Sequence, residues 1–75
     1  MTLEERLDAW QQNYGPIPED ATHLYMLDML IEEDVKKIEA GEVYCRYGGK
    51  WEESAYRVEE LYNSGFQPIK RGELR

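Results

Sequence analysis

His23-Leu24-Tyr25-Met26-Leu27-Asp28-Met29-Leu30-Ile31 is the most apolar stretch of the chain, with seven apolar or aromatic residues in nine. It is rich in Leu and Met, lacks Gly and Pro, and holds one β-branched residue, Ile31. That composition predicts the first half of a long central helix over about 18–40; a buried strand is the competing reading of such a run. At helical spacing Leu24, Leu27, Ile31, Val35 and Ile38 fall within a sector of roughly 80°, forming one core-facing stripe. Tyr25, Met26, Met29 and Leu30 fall on the flank and back. A helix that is apolar all round is normally buried. Left exposed, this face would form a docking patch, with Tyr25, Met26 and Met29 as its chief contacts, because the Met thioether adapts to irregular surfaces. Glu32–Lys36 and Glu33–Lys37 follow as favourable i, i+4 pairs, and Gly41 ends the helix.

On the N-terminal side, residues 2–14 carry strong helix signals. Thr2-Leu3-Glu4-Glu5 is a capping box, and Leu3, Leu7, Trp10 and Tyr14 make a narrow apolar stripe. Gly15 and Pro16 stop it, and 15–18 is an extended connector. On the C-terminal side, 42–47 (Glu-Val-Tyr-Cys-Arg-Tyr) reads as a strand. Two continuations then compete. A Gly48-Gly49 turn would make a hairpin pairing Arg46 with Trp51. The favoured alternative is a helix over 50–64, with Trp51, Ala55, Val58 and Tyr62 as its stripe. Residues 66–70 would add a short strand beside 42–47, confined to an edge by Pro68. Residues 71–75 are expected to fray. The expected fold is one small domain, 1–75, mainly α with a minor β element: three helices (2–14, 18–40, 50–64) around a long central one.

The 75 residues carry a formal net charge of −7. Lys70, Arg71 and Arg75 sit together at the end, with Glu73 the only acid beside them. Residues 1–69 therefore hold 15 acidic and 6 basic side chains, a net −9. Such a body repels nucleic acid and anionic membrane and attracts basic surfaces. The single cysteine precludes an internal disulfide and fits a reducing compartment. No basic segment followed by an apolar run opens the chain, and no stretch approaches the roughly 18 apolar residues of a membrane span. A cytoplasmic protein is expected, and a homodimer is compatible with so short a chain.

Little in the sequence carries chemistry. His23 and Cys45 are the only soft ligands, against the four or so that structural zinc takes, so no metal is expected. No Gly-rich loop opens a helix with nucleotide-binding spacing, so no cofactor is expected either. Asp28, at the margin of the core stripe, needs a cationic partner if buried, with Arg6, Arg46 and Arg57 as candidates. Val43-Tyr44-Cys45-Arg46-Tyr47-Gly48-Gly49, followed by the expected helix and Gly65-Phe66, resembles the active-site segment of rhodanese-type sulfurtransferases over about 24 of the 75 residues. The resemblance implies Cys45 as nucleophile in a loop facing a helix N-terminus, with Gly48 holding the loop. Trp51 departs from the small polar residue usual at the start of that helix. The expected helix is about a turn longer than the pattern, and nothing in 1–41 resembles the family's remaining strands.

The leading functional expectation is a non-enzymatic, acidic protein-binding module: an inhibitor or regulator that docks a basic surface. Nucleic-acid-binding enzymes own such surfaces, and small acidic phage proteins can occupy them as nucleic-acid mimics. The expected binding residues are Tyr25, Met26 and Met29, together with Glu52, Glu53, Glu59 and Glu60, which a 50–64 helix would set in two outward rows. The alternatives are a sulfur-transfer enzyme fragment using Cys45, or a structural subunit of a larger assembly.

Overall fold

The computed structural model describes residues 1–69. The N-terminal helix forms as expected. In α1 (Leu3–Tyr14) the Thr2 hydroxyl accepts from the Glu5 amide at 3.2 Å, and the Glu5 carboxylate accepts from the Thr2 amide at 2.8 Å. Gly15 closes the helix at φ 97°. Leu7 and Trp10 are fully buried, Leu3 is partly buried, and Tyr14 lies exposed with its ring 5.4 Å from that of Trp10.

The rest overturns the mainly helical expectation. Among the described residues α1 is the only α-helix, and an antiparallel sheet of five strands dominates. Residues 18–40 are not a helix. They contain β1 (His23–Tyr25), an irregular loop, a 3-10 turn (Glu32–Asp34) and β2 (Val35–Glu39). The 42–47 strand is present as β3 (Glu42–Tyr47). The expected 50–64 helix is replaced by β4 (Lys50–Glu53) and a 3-10 turn (Val58–Tyr62), so the hairpin pairing Arg46 with Trp51 is the continuation adopted. A short strand does follow, β5 (Phe66–Pro68), but it pairs with β1 rather than with β3. Residues 70–75, including the expected frayed tail, lie outside the described residues. Spatial order is β4-β3-β2-β1-β5, with every pair antiparallel.

Register explains the layering. Leu24 faces Val35 across β1 and β2, and α1 covers this face, packing Leu7 and Trp10 against Leu24, Val35 and Ala21. Ile38 faces Val43 on the other side of the sheet, where the segment after β4 lays Leu61 and Val58 against Val43, Phe66 and Tyr25. The predicted core stripe is thus split. Leu24 and Val35 are fully buried and Ile38 half-buried, but Leu27 and Ile31 are exposed.

The central misreading has a physical cause. Val35-Lys36-Lys37-Ile38 looks helical because both lysines read as solvent-facing. Both are buried. Lys36 Nζ donates to the Glu33 carbonyl and lies 5.1 Å from the Tyr56 ring centroid and 5.8 Å from that of Phe66. On the opposite face Lys37 Nζ lies 5.4 Å from Tyr44 and 5.2 Å from Trp51, and bridges to Asp20 at 3.3 Å. Aromatic faces accept cations through the ring quadrupole, while the lysine stems add apolar contact. The expected Glu32–Lys36 and Glu33–Lys37 side-chain pairs do not occur.

Candidate protein-docking site

β1 ends at Tyr25, and the next regular element starts at Glu32. Between them the chain has few ladder partners, so its polar backbone needs others. The buried Arg6 of α1 supplies most of them. Its Nε donates to the Tyr25 carbonyl, its Nη2 to the Leu27 carbonyl at 2.9 Å, and both terminal nitrogens reach the Asp28 carbonyl at 3.3 Å. Nη2 also pairs with Asp34 Oδ2 at 3.1 Å, and the same oxygen accepts from the Ile31 amide at 3.0 Å. One buried Arg–Asp pair therefore grips both ends of the loop. Burial pushes the Asp34 carboxyl above its ordinary range, against the opposing pull of the Ile31 amide and Arg6. The planar guanidinium suits this task, because it offers five donors in a fixed fork.

Neighbouring segments complete the clamp. The Met26 amide donates to the Gly65 carbonyl at 2.8 Å, and Trp10 Nε1 donates to the Glu32 carbonyl at 3.1 Å. Both Glu32 carboxylate oxygens accept from the β3–β4 turn, at 2.9 Å from the Gly48 amide and 3.0 Å from that of Gly49. Leu27 lies so close over Gly65 that a Cβ there would stand 2.6 Å from Leu27 Cδ1, and Gly65 also sits at φ 87°. Only glycine meets both demands.

The loop so held turns apolar side chains outward. Met29 is 83% exposed, Leu27 52% and Ile31 44%, and Tyr47 is exposed at the same end of the sheet. Of the predicted docking patch, only Met29 stands free. Tyr25 and Met26 are half-buried at the root of the loop, on opposite faces of the sheet: Tyr25 packs against Phe66 with ring centroids 4.9 Å apart, and Met26 packs against the Leu24–Val35 core. Leu27 and Ile31, assigned to the core from helical spacing, belong to the surface instead.

The two predicted glutamate rows do not form, because they required the absent 50–64 helix. Glu52 and Glu53 are exposed neighbours on β4 and so face opposite sides of the sheet. Glu59 is exposed and Glu60 half-buried in the last 3-10 turn, where Glu60 Oε1 accepts from the Arg57 amide at 2.8 Å. Asp28 is also exposed, at φ 61°, and it meets Arg6 through its carbonyl; the buried carboxylate that Arg6 pairs with is Asp34. Cys45 lies within β3, half-buried, opposite Lys36 on one side and Glu52 on the other. A two-residue turn and β4 follow it, where the sulfurtransferase resemblance implies a loop and a helix.

Folding also sorts the charge. Of the six cations in residues 1–69, Arg6, Lys36 and Lys37 are buried; of the fifteen carboxylates, only Asp34 is. Among the described residues the surface is left with fourteen carboxylates and three cations, Arg46, Lys50 and Arg57. Among the described residues no three His, Cys, Asp or Glu side chains converge as a metal site would require, and no helix is long and apolar enough to cross a membrane. No family model, curated protein or solved structure matches the chain.

Proposed function

We propose that this protein is a non-enzymatic binding module of a reducing, intracellular compartment: an inhibitor or regulator that docks a basic protein surface. The observation that carries this reading is the sorting of charge, which among residues 1–69 takes three of the six cations inward and leaves their exterior strongly acidic. Basic surfaces evolved to hold nucleic acid suit such an exterior, which attracts them over distances set by the Debye length. The acidic charge is spread over the molecule rather than confined to one helix face.

Affinity capture from the native host, followed by mass spectrometry, identifies the partner. With that partner in hand, neutralising Glu52, Glu53 and Glu59 together to Gln is expected to slow association and flatten its salt dependence. The dissociation rate should change little, because peripheral charges act mainly on encounter. Identical association rates for parent and variant at low and moderate salt would rule this reading out.

A further inference from the structure

We infer that the Leu27–Ile31 loop is a pre-shaped anchor, which seats Met29, Leu27 and Ile31 on an apolar patch flanked by lysines and arginines on the partner protein. This rests on the acidic docking reading above and names the contact that fixes the partner once charge has brought it near. A tip this apolar is costly to leave in water, and exposed groups of large apolar side chains mark interaction sites. The loop is also held rather than loose. Arg6 and Asp34 fix its backbone at both ends, Gly65 receives Leu27, and Glu32 ties it to the Gly48–Gly49 turn. A segment ordered before binding loses little conformational entropy on docking, which favours affinity.

Charge selects the occupant. Asp28 is exposed within the loop and Glu33 is half-exposed just beyond it, while Lys50, next to the Gly48–Gly49 turn, is an exposed cation at the same end of the sheet. A second copy of this chain docked loop to loop would set Asp28 against Asp28, and residues 26–31 themselves hold no cation to offset them. An anionic membrane is repelled for the same reason. A cation-flanked apolar patch satisfies both the apolar tip and its acidic border.

Two synthetic probes separate the terms, each titrated into the full chain while backbone amide resonances are followed. One is a short leucine–lysine peptide patterned as an amphipathic helix; the other is an oligolysine of equal charge. The leucine–lysine peptide is expected to bind more tightly and to shift amides in 26–33 and 47–50. Replacing Met29 and Ile31 together with Gln, a change that leaves the charge untouched, should weaken it about tenfold or more while oligolysine binding stays unchanged. Met29→Gln alone should show most of the loss, and it alters a side chain with almost no contacts to lose. Equal affinity of the leucine–lysine peptide for parent and double variant, or shifts centred on the Ala40–Gly41 turn at the other end of the sheet, would overturn the anchor while leaving the acidic reading intact. If neither peptide binds, both fall.

Discussion

His23 is the one histidine of the chain, and it is buried on the sheet face covered by the 54–65 segment. It stands opposite Lys36 on β2 and Pro68 on β5, its Nδ1 lies 2.9 Å from the Thr22 hydroxyl, and its ring meets Tyr62 edge-on at 5.8 Å. Burial lowers its pKa from the ordinary 6.5. As pH falls, the unfolded chain therefore takes up this proton before the folded one does. The stability that neutral His23 contributes is fully present above pH 6.5 and is lost as pH falls from there toward the lowered folded-state value. Thermal melts of the parent and of His23→Gln between pH 7.5 and 5.5 check this. The parent should lose more of its melting temperature over that interval than the variant; parallel profiles would remove His23 as the source. Lys36 belongs to the same argument from the opposite side. Burial lowers its pKa as well, so the folded state gives up this proton before the unfolded one as pH rises.

Among the elements, the two tight hairpins carry the sheet. The β3–β4 turn places Gly48 and Gly49 at φ 60° and 74°, while the β2–β3 turn uses Ala40 and Gly41 at 51° and 80°. Both are two-residue loops that need positive φ at each central position, and alanine is a poor occupant of the first. Ala40→Gly should therefore raise stability by roughly 0.5–1 kcal/mol, because removing the Cβ strain outweighs the added freedom of the unfolded chain. A lower denaturant midpoint for the variant would contradict this account of the turn. The same elements show what the sequence revealed. Helix α1 was legible because its signals are local: the Thr2 capping box, the Leu7–Trp10 stripe and the Gly15 stop. The β3 strand was legible from its β-branched and aromatic content. β1 was not, because three residues are too few to display an alternation. β2 was hidden because the buried Lys36 and Lys37 read as solvent-facing. In β4, Trp51 fits a helical stripe and a cross-strand pair with Arg46 equally well. At the candidate site the sequence set Met29 off the core stripe, and its side chain is indeed exposed. Leu27 and Ile31 were assigned inward by a helix that is not there. The Arg6–Asp34 grip joins residues 28 positions apart and leaves no local trace in the sequence.

At the scale of the whole molecule, the helix, the sheet and the 54–65 segment form three layers, and the two end regions of the sheet differ in character. One end carries the apolar loop and the Gly48–Gly49 turn bound to Glu32; the other carries the Ala40–Gly41 turn between Glu39 and Glu42. Arg6, Lys36 and Lys37 lie inside and most carboxylates of residues 1–69 outside, so the proposed long-range attraction and short-range anchoring would come from different residues. In the proposed docking, electrostatics would govern encounter and the apolar tip would govern how long the complex lasts. The central claim is that a basic partner seats on the loop end. Hydrogen–deuterium exchange on the captured complex tests it most directly. The account predicts that the partner slows exchange at 27–31 and leaves the amides of Ala40 and Gly41 unchanged; slowed exchange at Ala40 and Gly41 with 27–31 unaffected would contradict it.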